Sequence, residues 1–348
     1  MKSRKGETLA LDGPTLTAES RRLHIGSGSP RSRRVRLPWL GCLLVLAATG
    51  RADQVVKDVM TDTVVLAAPS QGHVKIVDNP MLRGLIFSNS GDPNDPYAIT
   101  RPGGHCNTNG DATDVQNNLG LTTYGFGCQL TGDNAVADDF VLSDWYTLEQ
   151  LVFCQYQTGA TSPSINRLDY ALLDANPLGQ GQPAWTTANS PAVTLVNVYK
   201  KLWTVAPEDP SGCTRRIQQV TVTLNPPVTL PAGHYWLAWR SAGTVGSGPW
   251  QPPVVILGQT GKPGANGLQS AAGAPFAPVL DGTHPQDLAF ELYGQLAAPQ
   301  PAGACCLLTG VCVPDKTRSV CEAIYAGIWQ GAGTTCDPNP CPPAQGAC

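Results

Sequence analysis

The sequence predicts an all-β protein: a jelly-roll-like two-sheet sandwich followed by a small disulfide-rich module. Three observations predict it. Gly and Pro, 37 and 31 of 348 residues, are spread along the chain without a period, which suits many short strands joined by turns. Segments that alternate apolar and polar residues recur, and no ten-residue window has convincing helical periodicity. Eleven of the 12 cysteines lie beyond residue 52, in one sparse set and one crowded set.

Residues 1–52 read as a leader with a signal peptide. The basic stretch Arg31-Ser32-Arg33-Arg34-Val35-Arg36 precedes an apolar run, Leu37 to Ala48, that is short for a membrane span. Small residues at Gly50 and Ala52 place cleavage after Ala52. The leader holds ten of the 23 Lys and Arg but three acids, so 13 basic and 23 acidic residues remain, a net charge of −10. That surface repels the phosphate backbone, so nucleic acid is not an expected partner. It leaves divalent cations plausible, and no transmembrane segment is expected in the mature chain.

Residues 53–294 are expected to form the sandwich. Gly84-Leu85-Ile86-Phe87 is a strand, and the Asn-, Asp- and Gly-rich segment at about 89–118 reads as a long loop. Cys106 is placed to tie that loop down, with Cys128 a candidate partner. Strands follow at Val136 to Leu142, Trp145 to Gln157, Leu168 to Leu173, Val193 to Val205, Ile217 to Leu224, His234 to Ser241, Val254 to Leu257 and Leu288 to Tyr293. Turn signals such as Asn225-Pro226-Pro227 and Pro231-Ala232-Gly233 punctuate the gaps. Residues 295–302 are a Pro/Ala linker, semi-extended by composition.

Residues 303–348 form the cysteine-rich module, which has few large apolar residues and needs bridges in place of a core. Cys305, Cys306, Cys312, Cys321, Cys336 and Cys341 are expected to pair among themselves, as are Cys106, Cys128, Cys154 and Cys213. Cys348 is left odd. Adjacent Cys305 and Cys306 should belong to different bridges. Zinc is disfavoured, because paired C-x-x-C knuckles are missing and no His follows His284.

Two regions resemble known families. Ala137-Asp138-Asp139-Phe140, the strand Val152 to Tyr156, Gly181-Gln182-Pro183 and Gly233-His234-Tyr235-Trp236-Leu237 resemble a group of exported bacterial β-sandwich proteins, many sorted to the cell surface. Residues 303–341 are similar to a G-A-C-C cysteine-rich module appended to large secreted bacterial proteins. The resemblance implies compartment and fold, and carries no catalytic set.

No motif for catalysis is legible: there is no G-x-S-x-G elbow, no H-E-x-x-H and no phosphate-cradling glycine loop. A carboxylate pair that meets only in three dimensions stays open, so a secreted hydrolase is one alternative and a structural envelope component another. Two constellations are candidate sites. Asp138, Asp139 and Asp287 flank the first and last core strands, which in a jelly roll lie side by side and could bring the acids together on Ca2+. The plainer alternative is a turn cap or an Arg pair at a sheet edge. In His234 to Arg240, alternation puts Tyr235, Leu237 and Trp239 on the core face and Trp236 with Arg240 outward, an aromatic platform beside a forked donor. Trp250 would cover one of the tryptophans, and the plainer alternative buries both under loops. The leading expectation is a secreted or surface-associated, non-catalytic binding or adhesion-type protein whose partner is a polysaccharide or another cell-surface component.

Overall fold

The computed structural model describes residues 84–89, 111–202 and 214–343. The leader, its cleavage site, Cys106, Cys213 and Cys348 lie outside the described residues. Among those described, two large antiparallel-dominated sheets form the sandwich, one of eight strands and one of six. The eight-stranded sheet carries Gly84–Ser88, Phe290–Leu296, Tyr146–Tyr156, Arg216–Leu230, Ala192–Leu202 and Asp111–Val115 in that order. In the six-stranded sheet, Gly233–Gly243 lies between Ala135–Leu142 and Ile165–Leu173, antiparallel to both.

Alternation decides what each strand buries. Tyr235, Leu237 and Trp239 leave one face of Gly233–Gly243 and enter the main core with Leu148, Leu151 and Phe153, Val220 and Val222, and Phe290 and Leu292. The fit is aromatic at the centre: Phe140 stacks on Tyr235 at 5.5 Å between centroids, and Phe290 lies 5.3 Å from Phe87 and 5.8 Å from Trp239. Rings at these separations add attraction beyond the area they bury. The opposite face of the same sheet is covered as well. Leu268, on the strand Leu268–Ser270 that extends this sheet beside Ala135–Leu142, and Phe276 pack with Trp236 over the small side chains of Ala135, Ala137, Ala171 and Ala238.

Three local expectations are corrected. Asn225-Pro226-Pro227 does not end a strand. It is a bulge inside Arg216–Leu230: the pairing steps from Gln150↔Thr223 to Leu148↔Val228, so residues 224–227 oppose Glu149 alone. Proline lacks the N–H a ladder needs, so an interruption is where it fits. Val254 to Leu257 is not a strand: Val254 and Val255 are buried in a small cluster with Ala289, Leu257 is exposed, and Pro252 and Pro253 break the ladder before it. Part of the expected long loop is a strand: Asp111–Val115 pairs in parallel with Ala192–Leu202.

The module is three short strands, Ala302–Cys306, Cys312–Thr317 and Ile328–Trp329, with one helix, Arg318–Ala323. Thr317 caps the helix, its Oγ1 accepting from Val320 N at 3.2 Å. Three disulfides stand where a core would be: Cys305–Cys321, Cys306–Cys341 and Cys312–Cys336. The adjacent cysteines do belong to different bridges. Closing loops of 16, 35 and 24 residues stabilises the module by about 3–4 kcal/mol each. The linker is short and the module is docked. Val320 joins the main core, Ser319 Oγ accepts from Thr229 N at 2.7 Å, and Asp174 receives both Lys316 Nζ and the Tyr325 hydroxyl.

The pairing expected of Cys128 is also corrected. Cys128 is a fully buried thiol that donates to Pro249 O and accepts from Gln155 Nε2, each at 3.4 Å. Burial pushes that thiol far above its ordinary range. Cys154 is buried beside Tyr156, Val198 and Ile217.

Candidate functional site

The residues picked out as an outward platform do not form one. Trp236 does leave the sheet on the face opposite Trp239, as alternation requires, but it is 2% exposed beneath Leu268 and Phe276. The sequence period gives the face of a side chain and not what covers it, so the plainer alternative holds for this residue. Arg240 sits at the end of the same face and is committed. Its guanidinium lies 4.7 Å from the Trp185 ring centroid, Nε donates to Asp169, and Nη1 donates to Gln182 and Asp133. Asp169 also accepts from Arg167 and from Thr187 Oγ1. Burial raises the Asp169 carboxyl, but Arg167, Thr187 and Arg240 outweigh it and hold it below its usual range. Trp250 is half-buried in a separate cluster near Tyr156, with Nε1 donating to Ser247, and covers neither of the other tryptophans.

The three acids meet only in part. Asp138 lies on the strand Ala135–Leu142 and Asp287 in the irregular stretch before Phe290–Leu296, and the two approach each other because Asp138 points into the sandwich interior. Asp138 Oδ2 accepts from Leu288 N at 2.6 Å and from Asn89 Nδ2 at 2.8 Å, and Oδ1 accepts from Asp139 N. Asp139 leaves the strand on the other side and pairs with His234 Nε2 at 2.6 Å. Beside Asp287 lies the buried Lys262, with Nζ 3.4 Å from Asp287 Oδ2 and 2.5 Å from Asn89 Oδ1. The ammonium takes the place a cation would need, and among the described residues no group of three or more His, Cys, Asp or Glu is arranged for a metal ion. The Ca2+ expectation for Asp138, Asp139 and Asp287 is corrected on that geometry.

A different feature has the shape of a binding site. Where the sheets diverge, a groove of about 480 Å3 opens between the sandwich and the docked module. Tyr170, Leu172, Pro226, Pro227 and Val228 give it an apolar wall, and Asn225, Thr186, Gln300, Arg318 and Glu322 give it polar groups. Such a volume, mixed in this way at the meeting of two modules, is the usual form of a small-molecule site. Its one carboxylate, Glu322, accepts from Arg318 Nε at 2.7 Å, a pair one helical turn apart. Burial raises the half-buried Tyr170 hydroxyl above its ordinary range.

The chain matches no family model, no curated protein and no solved structure. The site therefore rests on its own geometry. Its residues were missed in the sequence because they come from three places: a mid-strand tyrosine, a proline bulge and a short helix. The one available signal was Asn225-Pro226-Pro227, an interruption in an otherwise regular strand.

Proposed function

We propose that this protein is a secreted or surface-associated, non-catalytic binding protein that holds a segment of polysaccharide in the groove between sandwich and module. The observation that carries the reading is the groove itself: an apolar wall with one ring, Tyr170, facing amides and an Arg–Glu pair. A sugar offers both an apolar face to a ring and hydroxyls to amides and charged groups. Glycoside hydrolysis needs two carboxylates flanking the scissile bond. The groove is lined by one, already paired with Arg318, which favours binding over the hydrolase reading. Export is supported by the three disulfides, which persist in oxidising compartments, and by the order of the leader. No helix among the described residues is long and apolar enough to cross a membrane. The acidic mature chain makes nucleic acid a poor partner, and the resemblance to exported surface β-sandwiches with a G-A-C-C module is part of the same reading.

Retention on insoluble polysaccharide and cell-envelope fractions tests it. Tyr170→Ala with Arg318→Ala should reduce retention by more than tenfold, while Trp250→Ala, outside the groove, should not. Undiminished retention in the double variant, or release of soluble sugar by the wild-type protein, would overturn the proposal.

A further inference from the structure

The interior of the sandwich contains an arrangement that neither packing nor ligand binding requires. Asn89, Lys262, Asp138 and Asp287 are brought together from four separate places in the chain. Asn89, Asp138 and Asp287 are each 0% exposed and Lys262 is 8% exposed. The Asn89 carboxamide is held in one orientation, since Nδ2 donates to Asp138 Oδ2 at 2.8 Å and to Leu288 O at 3.1 Å. Its Oδ1 therefore faces Lys262 Nζ at 2.5 Å. A carbonyl bond of about 1.2 Å added to that contact puts Nζ no more than about 3.7 Å from Cγ, at the edge of near-attack range. An amine, a carboxamide and two carboxyl groups are thus packed against each other with water excluded. We propose that Lys262 and Asn89 join in an intramolecular amide bond, formed by the folded chain itself with Asp138 and Asp287 as proton carriers.

The step balances without an oxidant or cofactor. Lys262 passes one ammonium proton to Asp287, which lies 3.4 Å from Nζ. The free amine attacks Cγ of Asn89, and the Nζ–Cγ bond forms. With Cγ now tetrahedral, Nδ2 is an amine that can accept, and Asp138, 2.8 Å away and in its acid form, gives it a proton. The Cγ–Nδ2 bond then breaks, and the nitrogen leaves as ammonia. A second Nζ proton restores Asp138, and the proton on Asp287 leaves with the ammonia as ammonium. One ammonium and one carboxamide become one secondary amide and one ammonium. Supporting this, burial, Asp287 and Asp139 hold the Asp138 carboxyl well above the usual range, against the backbone N–H groups of Leu288 and Asp139. Burial also raises Asp287, although Lys262 and Asn266 pull it down. The raised Asp138 favours the acid form that the leaving nitrogen needs, while the pull of Lys262 on Asp287 favours the carboxylate that takes the ammonium proton.

Mass spectrometry of the purified full chain, fully reduced, tests the proposal. Relative to the sequence between its observed termini, the wild-type protein should be lighter by one ammonia. Its digest should yield one branched peptide containing both Asn89 and Lys262, stable to reductant. Lys262→Arg and Asn89→Ala should restore the full mass. Asp138→Asn, with the fold verified by near-UV circular dichroism, should keep both partners yet remain unlinked. A wild-type protein at full mass with separate Asn89 and Lys262 peptides overturns the proposal, even if every variant fails to fold. A branched peptide in folded Asp138→Asn overturns the role given to Asp138.

Discussion

Replacing Trp236 with alanine separates a structural tryptophan from a ligand platform, and the size of the effect follows from its surroundings. The indole packs on the outer face of the six-stranded sheet with Leu268, from another strand of that sheet, and Phe276, at 2% exposure. A buried Trp removes up to about 250 Å2 from water, an upper bound near 6 kcal/mol at about 25 cal/mol per Å2. Alanine keeps part of that, which brings the expected loss to the roughly 3–5 kcal/mol typical of Trp→Ala in a core. The upper end applies, because the walls are Ala135, Ala137, Ala171 and Ala238 on three hydrogen-bonded strands and cannot move in to fill the hole. For a domain of this size a loss near 5 kcal/mol is a fall in Tm of about 10–20 °C. Differential scanning calorimetry and urea unfolding check it. A loss below about 1 kcal/mol combined with lost polysaccharide retention would refute the reasoning and restore Trp236 as a binding residue.

The remaining predictions concern charge and the free thiol. Asp169 is held below its usual range by Arg167, Thr187 and Arg240, against burial. A depressed carboxyl contributes stability that is present above its unfolded value, near pH 4, and is lost as pH falls through its folded value. Wild-type stability should therefore drop more steeply below about pH 4 than that of Asp169→Asn, as urea midpoints measured across that window will show. Cys128 should resist alkylation in the native protein and react once denaturant is added, because the reactive thiolate is suppressed by burial. Labelling of that residue without denaturant, located by peptide mapping, would contradict its placement.

The fold was legible where a local period decides the outcome. His234 to Arg240 shows this best, since its alternation names the face of every side chain, and the structure keeps each on that face. What covers a face is decided elsewhere in the chain: Leu268 and Phe276 lie 32 and 40 residues beyond Trp236. The same limit explains the acids. The strand position of Asp138 was readable, but Lys262, 173 residues from Asn89, gave no local sign that it would pack against Asn89 and Asp287. In the module, adjacency disfavoured a bond between Cys305 and Cys306 themselves, because consecutive Cα atoms sit about 3.8 Å apart, closer than a disulfide usually spans. Which partners they find depends on the helix Arg318–Ala323, whose single turn and a half is too short to leave a period.

The buried cluster raises an energetic question that packing alone does not answer. An ammonium and two carboxyl groups taken out of water cost several kcal/mol per ion, and a single contact of 3.4 Å between Lys262 and Asp287 offsets only part of this. Hydrophobic residues of similar volume would fill the space between Phe87, Phe290 and Leu288 at lower cost. An amide between Lys262 and Asn89 changes the balance. It replaces the buried ammonium with a neutral amide and leaves Asp287 held by the Asn266 N–H at 2.8 Å. It also ties the strand Gly84–Ser88, at the edge of the eight-stranded sheet, to the segment before Leu268–Ser270. A link across 173 residues restricts the unfolded chain by about 5 kcal/mol on the same loop-closure relation that governs a disulfide. Unlike a disulfide, it is indifferent to reductant. In a protein whose sandwich holds Cys128 as a buried thiol, the sandwich would then be stapled by an amide and the module by its three disulfides.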